Sequence, residues 1–159
     1  MQRLTKQEYV CFLALAASSR SEDVFNSVGA ALLDINGNVL GTGFNGLASG
    51  MELPEWMTKE ENRPQKSQLM LHAEINLWQR KKEGHEYLLG LTISPCFACA
   101  KLIAASKVKQ VIYINPYERG DDKFKEVFDF YGIKYAQLDA KGRDRLIERL
   151  TFGIQNICC

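Results

Sequence analysis

A histidine at position 72, a glutamate two residues later and cysteines at 96 and 99 are the residues of this chain best suited to chemistry. Two thiolates and an imidazole give three protein ligands of the kind zinc takes, which leaves a fourth coordination position open for water, as in catalytic rather than structural sites. Zinc lowers the pKa of such a water to about 7, so a nucleophile is available at neutral pH. Glu74 is then a proton shuttle rather than a ligand. A structural zinc needs a further protein ligand, and the remaining candidates, Cys11, His85, Cys158 and Cys159, stand at no spacing that closes a site. Cys-x-x-Cys alone also reads as a redox pair; the joint pattern favours catalytic zinc.

The elements that must position these groups follow from spacing and periodicity. If Pro95 opens a helix, Cys96 and Cys99 share one face beside its positive end, which favours thiolate. A second helix starts near His72, its apolar residues Ile75, Leu77 and Trp78 running on into Gln79-Arg80-Lys81-Lys82, with Glu83-Gly84-His85 closing it. Two helix N-termini therefore converge on one metal. Upstream, Thr5-Lys6-Gln7-Glu8 reads as a capping box for a helix ending near Ser19. Val28–Ile35 reads as a buried strand that turns at Asn36-Gly37 and returns through Val39–Gly43. Gly43-Phe44-Asn45-Gly46 is either a backbone approaching a ligand or an ordinary glycine-rich turn. From Leu47 to Lys66 no period is visible, and a loop of that length leading into His72 is a functional candidate. Within it Arg63 and Lys66 are readable as phosphate contacts or as solvated surface.

Tyr87–Ile93 is a strand that delivers Pro95 and the cysteines at its C-terminal end, and helix continues from Ala100 to Ser106. Val111–Ile114 is a further strand, and ligands in α/β sheets collect at such ends, which makes Tyr117 and Arg119 candidates for substrate contact. Asp121 to Tyr131 is a helix capped by Gly132. Ile133–Leu138 is the last strand, and Arg143–Ile154 a final amphipathic helix. The expected fold is α/β, a three-layer αβα arrangement with a mixed, mostly five-stranded central sheet.

The chain has 159 residues, 46% of them hydrophobic, enough for the core of a single domain spanning 1–159. A formal net charge of +1 gives no polyanion-binding footprint, so no nucleic-acid partner is expected. No apolar run spans a bilayer. With no signal-peptide core at the start and an odd count of five cysteines, a reducing cytoplasm is expected.

His72-Ala73-Glu74-Ile75-Asn76 with Ser94-Pro95-Cys96-Phe97-Ala98-Cys99-Ala100-Lys101 resembles the cytidine deaminase superfamily, whose zinc enzymes carry His-x-Glu and Pro-Cys-x-x-Cys. Arg20-Ser21-Glu22-Asp23 before Val28-Gly29-Ala30, the Gly43-Phe44-Asn45-Gly46 turn and Tyr117 resemble its dCMP deaminase branch. The resemblance implies conversion of dCMP to dUMP and ammonia for thymidylate synthesis. It implies that Glu74 takes water's proton, passes it to N3 and helps expel the amine. It further implies that Asn45 binds sugar or base and that the carbonyls of Ala73 and Ser94 hold the exocyclic amine. The branch is typically a hexamer, activated by dCTP and inhibited by dTTP with Mg2+. Arg20, Ser21, Asp23, Asn26 and Gly46 match its regulatory site, and without the resemblance Arg20–Asn26 reads as a helix end and linker.

The chain departs from the branch at Val24-Phe25, where Pro-x is usual after the aspartate, in lacking a second Cys/His cluster, and at Cys158-Cys159, which have no counterpart. A tRNA adenosine deaminase shares the metal pattern, but the near-neutral charge disfavours it. A free-nucleoside cytidine deaminase usually has cysteine where this chain has His72. Deamination of dCTP stays open. A non-catalytic zinc or nucleotide sensor on the same fold would have no use for Glu74.

Overall fold

A computed structural model describes residues 2–118 and 122–155. Thr5 starts helix α1 (Lys6–Ser18) with the expected capping box: the Glu8 N–H donates to Thr5 Oγ1 at 3.2 Å, and the Thr5 N–H to Glu8 Oε2 at 2.8 Å. Strand β1 (Gly29–Asp34) pairs antiparallel with β2 (Val39–Phe44) on one side and with β3 (Glu86–Ile93) on the other. Strands β4 (Gln110–Asn115) and β5 (Lys134–Gln137) extend the sheet in parallel, giving the order β2-β1-β3-β4-β5.

Period-two alternation sends neighbouring residues of one strand into different cores. Ala30 and Leu32 pack with α3 (Ala73–Arg80), α4 (Phe97–Ala104) and α5 (Lys123–Tyr131), while Ala31 and Leu33 pack with α1 and α6 (Ala140–Gln155). The result is the αβα layering that the pattern predicts, with the mixed five-stranded sheet at its centre. On the first face, edge-to-face contacts among Tyr113, Phe124 and Tyr135 fix α5 to the parallel half of the sheet. On the second, Arg145 of α6 donates through Nε to Glu8 Oε1 at 2.6 Å, joining the two outer helices. Burial works against the Glu8 charge, but the hydrogen bonds from Arg145 and Thr5 prevail and hold its carboxyl below the usual carboxylate range.

Several expectations are corrected. The stretch from Leu47 to Lys66 holds two 3-10 turns, Glu55–Thr58 and Glu60–Asn62, and the start of α2 (Arg63–Leu69). These are too short to show a period. Helix α3 stops at Arg80, and Lys81 and Lys82 lie outside it, the Lys82 N–H donating to Leu40 O at 2.8 Å. Helix α4 starts after Cys96 rather than at Pro95 and ends at Ala104, and α6 starts at Ala140. Gly43 serves packing rather than a ligand: a Cβ there would lie 2.3 Å from Ala73 O, so its absence lets α3 rest on β2.

Candidate active site

The predicted metal ligands come together because two helices begin at the same place. His72 is the N-cap of α3 and Cys96 the N-cap of α4, both in extended backbone, and Cys99 lies in the first turn of α4. His72 Nδ1 is 3.6 Å from Cys96 Sγ and 3.4 Å from Cys99 Sγ. One ligand atom from each residue falls within 4.8 Å of the others, and among the described residues no further His, Cys, Asp or Glu joins the group. Cys11 is buried in the core on the α1 face of the sheet.

The thiols also suit a cation. The hydrogen bond with Cys99, supported by His72, holds the Cys96 thiol down to about 4 in spite of its burial. The Cys99 thiol, bound to Cys96 and buried, is pushed up. A dithiol sharing one proton beside an imidazole is a donor set of the softness and number that zinc takes while leaving a position for water. Glu74, only 4% exposed, sits in the first turn of α3 beside these groups without joining them. Burial pushes its carboxyl up, more than the neighbouring His72 lowers it.

His72, Glu74 and Cys96 line a cleft of about 540 Å3 at the C-terminal ends of β3 and β4. Ile93, Ser94 and Cys96 line it from the end of β3, and Asn115, Pro116, Tyr117 and Glu118 from the end of β4. The two strand ends are tied together: the Ser94 N–H donates to Asn115 O at 2.8 Å, and the Tyr117 N–H donates to Ser94 Oγ at 2.8 Å.

The facing wall is a knot of polar groups from three separated segments. Asn45, 7% exposed, donates through Nδ2 to Asp23 Oδ2 at 3.1 Å and to Asn26 O at 2.8 Å. Its Oδ1 accepts from Ser21 Oγ at 2.7 Å and from the Val28 N–H at 2.8 Å. Asp23 Oδ1 accepts from Lys66 Nζ at 2.5 Å, an ion pair whose side chains are 6% and 3% exposed, and from the Phe25 N–H at 2.9 Å.

Of the expected substrate residues, Asn45, Ala73, Ser94 and Tyr117 all line the cleft, and Arg119 lies outside the described residues, as do Cys158 and Cys159. The Asn45 amide is fully engaged in the knot and presents no unused donor or acceptor. The Ala73 carbonyl is turned onto Gly43, which leaves its N–H, in the first turn of α3 where no intrahelical acceptor exists, as the polar group it can offer.

Of the residues matched to a regulatory site, Asp23 and Asn26 line this same cleft. Ser21 is tied to Asn45, Arg20 stacks over the Phe44 ring at 5.7 Å, and Gly46 pairs with Leu71 through two backbone hydrogen bonds. Lys66 is neither a phosphate contact nor solvated surface: it is buried against Asp23 and the Phe25 ring. Arg63, which the sequence left open between a phosphate contact and solvated surface, lines the cleft, whereas Ser67 and Met70 were not readable as cleft residues, because only the fold of the α2 region brings them there.

A buried carboxylate beside a His/Cys/Cys group, at the strand ends of a mixed αβα sheet, defines a metal-assisted hydrolytic deaminase. Residues 4–115 match the cytidine and deoxycytidylate deaminase zinc-binding region, and the chain belongs to that family. It is 27% identical over 142 residues to human (Homo sapiens) deoxycytidylate deaminase, covering 84% of this chain and 80% of that one. It is 30% identical over 125 residues to deoxycytidylate deaminase of Mycobacterium phage D29, covering 71% of this chain and 97% of that one. Among solved structures it is similar to dCMP deaminase from the cyanophage S-TIM5 in complex with dCMP and dUMP. There the TM-score is 0.67 at 28% identity, over 86% of this chain and 99% of that one.

Proposed function

We propose that this chain hydrolyses dCMP to dUMP and ammonia. The observation that carries the reading is the placement of buried Glu74 beside His72, Cys96 and Cys99 in a cleft large enough for a mononucleotide. Support for the substrate comes from the similar proteins, which include a dCMP deaminase whose structure holds both dCMP and dUMP.

His72 Nδ1 and the two cysteine sulfurs would hold Zn2+, which when bound supplies a nucleophilic water at neutral pH. Glu74 takes the proton of the attacking water and delivers it to N3 of the cytosine ring, then takes the proton of the C4 hydroxyl so formed and passes it to the amine, which leaves as ammonia while the C4 carbonyl forms. These transfers are sequential, so one buried carboxyl can act as base and then as acid. Ala73, whose N–H in the first turn of α3 has no intrahelical acceptor, and Ser94 both line the cleft and would contact the polar edge of the base. Tyr117, held by its N–H on Ser94, lines the cleft beside it and would contact the substrate.

The same reading carries regulation by dCTP and by dTTP with Mg2+, through Arg20, Ser21, Asp23, Asn26 and Gly46, a hexameric assembly and a cytoplasmic location. Among the described residues no helix is long and apolar enough to cross a membrane. The knot supports regulation in one respect: Ser21 and Asp23 bond Asn45 and Lys66 in the cleft wall, so a ligand gripping Arg20–Asn26 would pull on that wall. Arg20→Ala should blunt dTTP inhibition, and unchanged inhibition removes Arg20 from that role.

Ultraviolet assays on zinc-loaded protein with dCMP, deoxycytidine, dCTP and an adenosine-containing tRNA loop test the substrate. Turnover of dCMP well above the rest is expected. A faster rate with dCTP or with the RNA would overturn the assignment.

A further inference from the structure

Resting on the nucleotide reading of the cleft, we propose that Arg63 recognises the 5′-phosphate of the substrate. Among the described residues that line the cleft, Arg63 is the one arginine or lysine. Its surroundings hold it in place without exhausting it. The guanidinium lies 5.1 Å from the centre of the Phe25 ring, so its plane is supported from one side. Among the described residues only Nη1 is engaged, by Glu60 Oε1 at 3.2 Å, and Glu60 is a surface side chain 69% exposed, a partner that a phosphate readily displaces. The remaining N–H donors form the planar fork that suits phosphate oxygens.

The charges around Arg63 explain how an anion is accepted in a cleft that also contains carboxylates. Asp23 lines the same wall, but its charge is matched by Lys66 at 2.5 Å, and the Lys66 ammonium also lies 4.7 Å from the Phe25 ring that supports Arg63. Lys66 neutralises the wall, which leaves the charge of Arg63 to the ligand. Glu74 lines the same cleft with His72 and Cys96, so the carboxyl that serves the reaction and the cation that accepts an anion are separate residues of one cleft. Arg63 is a specificity residue: it distinguishes a nucleotide from a nucleoside and touches none of the reacting atoms.

Calorimetric titration of the zinc-loaded protein with dUMP and with deoxyuridine tests this directly, alongside kinetics with dCMP. Arg63→Ala should weaken dUMP about tenfold to a hundredfold while the deoxyuridine Kd stays within twofold. The KM for dCMP should rise by a similar factor, more than kcat falls. Arg63→Lys should recover part of the loss, since it restores the charge without the fork. Equal weakening of dUMP and deoxyuridine would show that Arg63 only packs the wall, and no change in either would place the phosphate elsewhere. Both results overturn the proposal. The binding measurement does not depend on turnover, so selective loss of dUMP in a protein that fails to deaminate dCMP would keep the phosphate site and reject the dCMP reading.

Discussion

On the α3 and α4 side of the cleft, His72, Glu74, Cys96 and Cys99 come from two short segments, each at the start of a helix. On the facing side, Ser21, Asp23, Asn45 and Lys66 come from three segments and meet through hydrogen bonds that span up to 43 positions of sequence. The first side is held by helix starts and strand ends that fold for their own reasons, and its polar groups remain available for a metal and a proton. In the second, polar groups satisfy one another: the Asn45 amide and the Asp23–Lys66 pair are taken out of water and used to hold backbone. Polar residues lining one cleft thus divide into those kept open for chemistry and those consumed in shaping it, and hydrogen-bond capacity tells them apart.

The largest effect expected from testing this division is at the open side. Glu74→Gln should lower kcat by about 10²–10⁴-fold while metal content and thermal stability stay near those of the parent, as activity assays beside metal analysis would show. Near-normal turnover would move the proton shuttle elsewhere. Cys99→Ala should lose the metal and with it activity, and full occupancy by elemental analysis would break the ligand set.

On the knotted side the same assays should separate differently. Lys66→Met leaves the Asp23 carboxylate buried without its ion-pair partner, and a loss of about 3–5 kcal/mol is expected in denaturant unfolding. Metal should remain in the folded fraction. The smallest change is Ser21→Ala, which removes a hydroxyl from Asn45 while Val28, Asp23 and Asn26 still hold that amide. A loss of about 1 kcal/mol is expected. If Ser21→Ala lowered kcat as much as Glu74→Gln, the two sides would not differ in the way described.

The open side was legible in the sequence for the same reason that it is simple. Metal ligands of fixed type at short spacing, next to a proline and a strand pattern, leave a local signature, and so did the capping box at Thr5 and the unbroken apolar run of β1. The knot left none. Lys66 looks like a surface cation until α2 carries it under Phe25 and onto Asp23. Arg63 is likewise one more charge in an aperiodic stretch until two 3-10 turns and a seven-residue helix bring it to the cleft. Pairings across such distances are decided by tertiary packing, to which periodicity is blind.

The contact between Gly43 and the Ala73 carbonyl bears on how a mutational scan of this enzyme would be interpreted. The helix resting on that bare backbone position carries Glu74 in its first turn and has His72 as its cap. A single methyl at position 43 would lift the reactive carboxyl away from its place without itself touching the nucleotide. In a screen scored by activity alone, Gly43 would rank with the residues of the reaction itself. A parallel screen scored by abundance would not separate the two cases if the protein accommodated the methyl by shifting α3 outward, so a position with no reacting side chain can acquire the mutational profile of a catalytic one.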